Sequence, residues 1–384
     1  MRIVADENIP FVHEAFGDFG VVETYPGRTI QRATVSDADA LVVRSVTKVD
    51  ARLLENTPVK FVGTTTIGED HIDKPYLEQA GIAFASAPGS NANSVAEYVV
   101  AALLVLAEER GFTLEGRRLG IVGHGNVGKR VEQRVAALGI ECVLNDPPLA
   151  EQTGDPRYQP LDALADCDII TFHVPLTREG PHPTYHLFNL RLADSLKTGA
   201  IVINTARGSV ANGPELRRAL EEGQLGAAVL DVWEDEPRID RELLSNCAIG
   251  TPHIAGYSTD GKVNGVHMIH EALCRHLGVE PSWNPEPLLP PPAHPSVNIT
   301  AGLNREQSLR RAVQAAYDIR KDDDALRSGM RLGSDDRAAH FDQLRKKYPV
   351  RREFRAVHAM LDDPDPTLAA ALRGLGFPVL EPGA

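Results

Sequence analysis

Short apolar runs recur along the first part of the chain, each closing on a polar residue or glycine. MRIVAD, ALVVRS, KFVGTTT and IAFASAP are β-rich in this way, and stretches of helical periodicity separate several of them. Such βα alternation predicts a parallel sheet. SNANSVAEYVVAALLVLAEER then reads as a long amphipathic helix opened by a Ser/Asn cap cluster, and its apolar run VAEYVVAALLVLAEER, with acids at both ends, as a buried one. A second βα series starts at RRLGIVGHGNVGKRVEQRVAALG and runs through ECVLND, CDIITFHVPL, AIVINTARG, AAVLDVW and AIGTPHIAG. Its strands end in residues capable of chemistry, at the carboxyl edge where open parallel sheets bind ligands. DGKVNGVHMIHEALCRHLG is a further helix, and the proline-rich PSWNPEPLLPPPAHPSVNI reads as a linker. In the last region EQSLRRAVQAAYDIRKDD and AHFDQLRKKY read as helices. FRAVHAMLDD reads as a strand, and PTLAAALRGLGFPVLEP as helix, glycine turn and strand.

Length and charge narrow the class. The 384 residues exceed one ordinary domain, so two or three are expected. A net charge of −13 lacks the broad basic footprint of a nucleic-acid binder. No apolar run reaches the length of a membrane span. The N-terminus enters a strand at once, without the basic and apolar regions of a secretory signal. Cys142, Cys167, Cys247 and Cys274 are scattered and form no C-x-x-C pair. Free thiols in a reducing cytoplasm, and no metal site, are the expectation.

Gly123-His124-Gly125-Asn126-Val127-Gly128 is a G-x-G-x-x-G between the strand LGIV and the helix KRVEQRVAALG. In that context the glycines permit a tight turn and close approach of a pyrophosphate to the helix N-terminus. The next strand ends in Asp146, placed to accept from the adenosine ribose hydroxyls. Its charge would repel a 2′-phosphate, so NAD is expected rather than NADP. His124 is bulky for this loop; it is read as facing solvent and is given no catalytic role.

Three later strand ends bring Arg207 in INTARGS, Glu236 in DVWEDEP and His253 in TPHIAG. Each has a bland reading: a surface ion-pair partner, one acid among several, a core histidine. Three such residues at successive strand ends beside a dinucleotide loop are more than coincidence would place there.

GHGNVG, HVPLT, NTARGS, DVWEDEP and TPHIAG, in this order and spacing, resemble the D-isomer-specific 2-hydroxyacid dehydrogenases. DENIP, LVVRSVTKVD, KFVGTTTIGEDHID and HIAGYSTDGK resemble one branch of that family, and so does the C-terminal extension with YDIRKDD and FDQLRKKYPVRRE. The resemblance implies an α/β fold of two Rossmann-like parallel-sheet lobes with a cleft between them, plus a C-terminal α+β dimerisation domain. Residues 1–93 and 255–285 would form the substrate-binding lobe, 94–254 the NAD-binding lobe and 286–384 the C-terminal domain. It assigns Arg207, Glu236 and His253 to catalysis in the oxidation of a 2-hydroxy acid, with His253 as the proton acceptor, Glu236 orienting its ring and Arg207 binding carboxylate with its planar fork. Gly123, Gly125, Asn126, Val127, Gly128, Asp146, Val174, Thr205, Ala206, Asp231 and Gly256 go to the cofactor. Ser45, Thr66 and Tyr257 go to a small phosphorylated 2-hydroxy acid; strand propensity alone would also explain the Thr64–Thr66 run. It further implies a homodimer. The phosphate partner is left among Arg44, Lys48, the run Arg345-Lys346-Lys347, Arg351 and Arg352, the basic run reaching a neighbour's site if the last region forms the dimer interface. Two other readings stay open. One is a dehydrogenase of another 2-hydroxy acid, such as 3-phosphoglycerate or glycerate. The other is a non-enzymatic nicotinamide-sensing corepressor or scaffold.

Overall fold

The computed structural model of the chain describes residues 1–381, so the last three residues of the expected C-terminal domain lie outside the described residues. The strands are β1 (Arg2–Asp6), β2 (Val21–Tyr25), β3 (Ala40–Val43), β4 (Phe61–Thr64), β5 (Ala83–Ala85), β6 (Arg118–Val122), β7 (Glu141–Asn145), β8 (Ile169–Phe172), β9 (Ala200–Asn204), β10 (Leu225–Leu230), β11 (Ile249–Gly250), β12 (Ser296–Ile299), β13 (His358–Leu361) and β14 (Val379–Leu380). They fall into three sheets, in the orders β2-β1-β3-β4-β5, β11-β10-β9-β8-β6-β7 and β12-β13-β14. Every pairing is parallel. No helix among the described residues is long and apolar enough to cross a membrane.

The chain divides into two compact units. The first comprises residues 1–91 and 258–290 around the five-stranded sheet. Ser258 opens its long helix Thr259–Leu277 by accepting from Gly261 N (2.8 Å), and Gly278 closes it in the left-handed region. That helix buries Val266, Ile269 and Leu273 against Ile3, Val42 and Phe61 of the sheet. β2 is absent from the sequence reading: it is an edge strand, with Val21 exposed, and so lacks the continuous apolar run of its buried neighbours.

The second unit holds residues 92–257 and everything from Pro291 onward. From β6 the chain adds β7 on one side and then β8 on the other, so the topological switch point lies between β6 and β8. The helix Ala92–Arg110 is buried on every face from Val95 to Ala107, not on one stripe as an amphipathic helix would be. One reason is the C-terminal region. Leu309, Ala312 and Val313 of the helix Arg305–Ala316, with Phe354, Leu372 and Phe377, join the core cluster that contains this helix.

The C-terminal region therefore has its own small sheet but shares the second unit's core. That sheet is wholly parallel, so the region is βαβ in style rather than the expected α+β mixture. The supposed linker contributes β12, whose SVNI alternates exposed and buried residues. The expected helix across YDIRKDD breaks at Tyr317, after which Asp318 caps a new helix, Ile319–Ser328.

Candidate functional site

The second unit's carboxyl edge collects the sequence motifs. Gly123 follows β6, His173 and Val174 follow β8, Thr205–Arg207 follow β9, Asp231 follows β10 and Thr251–His253 follow β11. At the switch point Gly123 has φ +91, and a Cβ there would sit 2.8 Å from the His173 backbone and the Val174 side chain. Only glycine allows that crossing. A Cβ on Gly125 would meet nothing within 4 Å, so the loop presents bare backbone to open space. Behind it the helix Asn126–Ala136 starts with no side-chain cap, leaving its first amides for an anionic ligand. Asp146 accepts from His124 N (2.7 Å) through Oδ2 and from Leu149 N (3.1 Å) through Oδ1. Each carboxylate oxygen keeps a further acceptor position, so loop, helix and acid fit a dinucleotide with free ribose hydroxyls.

His124 corrects the sequence reading. It is 2% exposed, with Nε2 on Glu132 (2.8 Å) and Nδ1 on the Tyr158 hydroxyl (3.2 Å). Its size is absorbed inside the unit, where it braces the loop. His173 is also structural: it bonds Thr171 (2.9 Å) and Thr205 (3.3 Å), and burial pushes its imidazole down to about 3.

His253 and Glu236 meet directly, Nδ1 to Oε2, at 2.7 Å. Glu236 Oε1 accepts from Trp233 N (2.9 Å), so both carboxylate oxygens are engaged. Burial alone would raise this carboxyl. The charge of His253, its hydrogen bond, the Trp233 amide and the charge of Arg345 outweigh burial and hold Glu236 below the ordinary glutamate range. An ionised Glu236 makes Nδ1 the protonated nitrogen and leaves Nε2 with a lone pair. His253 has φ +57, an uncommon left-handed conformation for a side-chain-bearing residue.

A buried polar chain holds that conformation. Asp231 is 1% exposed. Its carbonyl accepts from His253 N (2.7 Å), and its carboxylate accepts from Ile254 N (2.7 Å), Ala255 N (2.9 Å) and the Thr251 hydroxyl (2.6 Å). Thr251 accepts in turn from the Tyr98 hydroxyl (2.7 Å). Asp231, expected only as a cofactor contact, is thus the anchor of the His253 turn. Burial, the largest influence, leaves its carboxyl above the ordinary value. Thr251→Val keeps the shape but strands the Tyr98 hydroxyl and removes a donor from Asp231. It is expected to cost about 2–4 kcal/mol, read as a lowered urea midpoint.

Arg207 lies on the adjacent loop. Asn204 ties that loop by accepting from Ala206 N (3.0 Å) and donating to Arg207 O (3.0 Å). Arg207 Nη1 donates to Ala206 O (2.8 Å). The following Gly208 packs directly against the Trp233 carbonyl and Glu234 amide, with no room for a Cβ. The loops bearing Arg207 and Glu236 are thereby locked together.

The basic run separates into distinct roles. Arg351 and Arg352 are 4% and 8% exposed, which removes them as solvent-facing phosphate ligands. Arg351 donates to Ala255 O (3.1 Å) and Ser94 O (2.7 Å) and stacks on Tyr317 at 3.7 Å. Arg345 Nη2 donates to the Tyr257 hydroxyl of its own chain (2.9 Å). Lys346 and Lys347 are exposed.

In the first unit, Ser45 is exposed just beyond β3, and Thr66 lies just past β4. The Thr66 hydroxyl bonds that of Thr64 (2.9 Å), which bonds His71 Nε2 (3.1 Å). Thr64 belongs to the strand; Thr66 does not. Arg44 Nε donates to the buried Asp6 (3.1 Å). Lys262, in the first turn of the helix Thr259–Leu277, was not singled out from the sequence. Burial, and then the charge of Arg44, pull its ammonium down from 10.5 to about 8. A lowered lysine pKa means the folded state bears a charging cost that is absent above 10.5 and complete below about 8. Lys262→Met is therefore expected to stabilise the protein by roughly 1–2 kcal/mol at neutral pH. The gain should vanish in strongly alkaline buffer, as read by thermal unfolding across pH.

Comparison with known proteins agrees with this geometry. Residues 96–255 match the model of the D-isomer specific 2-hydroxyacid dehydrogenase, NAD binding domain, and residues 288–376 match a domain of unknown function. The chain is 45% identical to an erythronate-4-phosphate dehydrogenase of Hahella chejuensis, over 98% of this chain and 99% of that one. It is 46% identical to that of Escherichia fergusonii, over 98% of each. Among solved structures it resembles a Thermus thermophilus protein, with TM-score 0.61 and 26% identity over 73% of this chain and 98% of that one. It also resembles an Aquifex aeolicus D-lactate dehydrogenase complexed with NAD and lactic acid, with TM-score 0.58 and 25% identity over 72% of this chain and 96% of that one. With its glycine loop, its Glu236–His253 pair and these relatives along nearly its whole length, the chain belongs to the D-isomer specific 2-hydroxyacid dehydrogenase family, in the branch of the erythronate-4-phosphate dehydrogenases.

Proposed function

We propose that this chain oxidises 4-phospho-D-erythronate to (R)-3-hydroxy-2-oxo-4-phosphooxybutanoate with NAD, a step of pyridoxal 5′-phosphate (vitamin B6) biosynthesis. The observation that carries the chemistry is the 2.7 Å contact between His253 and Glu236; the curated relatives carry the substrate. Bound NAD supplies the hydride acceptor. The chain's residues do the rest. His253 Nε2 takes the proton of the C2 hydroxyl, and Glu236 stabilises the imidazolium that forms and fixes the ring's tautomer. Arg207 binds the carboxylate and the C2 oxygen, orienting the C2–H bond.

Gly123, Gly125, Asn126, Val127 and Gly128 are assigned to the pyrophosphate and Asp146 to the adenosine ribose. Val174, Thr205, Ala206, Asp231 and Gly256 are assigned to the nicotinamide half. Asp231 keeps one acceptor position on Oδ2 beyond its bond to Ala255 N (2.9 Å), which suits a carboxamide donor. Ser45, Thr66 and Tyr257 are assigned to the substrate. The protein acts in the cytoplasm as a homodimer, with the C-terminal region as the dimerising element.

A panel of 2-hydroxy acids, assayed for NADH formation, tests the reading. Phosphoerythronate should give the highest kcat/KM of the panel. A higher value for 3-phosphoglycerate or glycerate refutes the substrate, and tight NAD binding with no turnover of any acid refutes the activity.

A further inference from the structure

The substrate proposed above is anionic at both ends, and Arg207 serves the carboxylate end, with the C2 oxygen beside it. The other end needs a cation that is not already neutralised. Four of the five bases of the C-terminal run are poor choices. Arg351 and Arg352 are buried, and Arg351 is committed to Ala255 O, Ser94 O and the Tyr317 ring. Lys346 and Lys347 are solvated.

Arg345 differs in each respect. It lies in the last turn of the helix Ser334–Lys346 and is half-buried. Its Nη2 donates to the Tyr257 hydroxyl at 2.9 Å, and its guanidinium lies 5.6 Å from the centre of that ring. Tyr257 is four residues from His253 on the same turn. Arg345 makes no ion pair among the described residues, though its charge helps hold Glu236 below the ordinary glutamate range, in a chain of net charge −13. Its Nε is buried and has no hydrogen-bond partner there. A buried donor without an acceptor is costly. The terminal nitrogens carry N–H groups beyond the one given to Tyr257, and paired guanidinium N–H groups grip phosphate oxygens.

We propose that Arg345 binds the phosphate end of the substrate, from the same chain that supplies His253, with Tyr257 holding the guanidinium in register. The proposal rests on the substrate reading given above. It also assigns a task to the region matched only as a domain of unknown function: delivering a specificity residue to the catalytic turn in cis.

The test compares the parent, Arg345→Met and Arg345→Lys, each confirmed as folded by its melting temperature. The first measurement is the ratio of kcat/KM for 4-phospho-D-erythronate to that for unphosphorylated D-erythronate. Arg345→Met is expected to lower this ratio at least about tenfold, mainly through KM for the phosphorylated acid. Arg345→Lys should fall between, because it keeps the charge and loses the fork. The second measurement is calorimetric titration of NAD-saturated protein with inorganic phosphate. Arg345→Met should weaken that binding at least about tenfold. Equal losses on both acids, with the ratio preserved, would make Arg345 only a prop for Tyr257 and overturn the proposal. So would phosphate binding that is absent in the parent or unchanged in Arg345→Met. A parent that favours an unphosphorylated acid refutes the substrate reading instead, and the phosphate titration still decides the role of Arg345.

Discussion

Replacing His253 by alanine is expected to lower kcat by about 10²–10⁴-fold, the span typical of losing a positioned general acid–base. The structure explains why the loss should concentrate in kcat. His253 receives 2.7 Å contacts at two points, Nδ1 on Glu236 and its backbone N–H on the Asp231 carbonyl. Only Nε2 remains for the substrate proton. Alanine keeps the backbone contact and removes the base, so KM should change far less. Steady-state rates with saturating NAD decide this, and a variant within about tenfold of the parent ends the acid–base assignment. Stability gives a second readout. Glu236 is held below its ordinary value of 4.5, chiefly against burial and by His253. A depressed carboxyl contributes stability that is present above its unfolded pKa and lost as pH falls through the folded one. The stability gap between parent and His253→Ala should therefore be widest near neutral pH and shrink on acidification below 4.5.

Gly208→Ala is expected to be nearly as damaging, although Gly208 carries no chemistry. Its Cβ would overlap the Trp233 carbonyl and crowd the Glu234 amide. Those atoms are backbone, and Trp233 is itself pinned by Nε1 donating to Thr251 O at 2.9 Å and by its amide on Glu236 at 2.9 Å. Relief requires moving Arg207 away from the loop that holds Glu236. The expected cost is about 3 kcal/mol of stability or more. Displacing Arg207, the proposed carboxylate anchor, by about 1 Å should also lower kcat/KM by about 10²-fold. Chemical denaturation and steady-state kinetics on one preparation measure both. Parent-like stability and activity would show that the two loops are not locked together.

The sequence carried much of this site because local motifs with fixed physical meaning make it up. A G-x-G-x-x-G between strand and helix is read from glycine's conformational freedom and helix-end amides. Arg207, Glu236 and His253 were legible as strand-end residues because parallel sheets present their ligand edge there. The family resemblance then gave the three their roles.

What escaped the sequence was set by partners distant along the chain. His124 read as solvent-facing because a bulky residue in a glycine loop has no evident place; Glu132 and Tyr158 make that place. Asp231 read as a ligand contact, and its role as anchor of the His253 turn appears only once Ile254, Ala255 and Thr251 fold back onto it. Arg351 and Arg345 read as one basic run. Six residues apart, one is buried on Ala255 O and the other turns to Tyr257. β12 hid among prolines because a four-residue strand carries too little periodicity to outweigh them.

By itself, then, the sequence determined the βα order, the dinucleotide loop, the strand-end positions of Arg207, Glu236 and His253 and the family, all of which follow from short-range pattern. Only the tertiary structure decided which charges are buried struts and which stay accessible, and that the C-terminal region shares the second unit's core. Burial and hydrogen-bond partnership depend on contacts between residues far apart in the chain, and no local pattern encodes them.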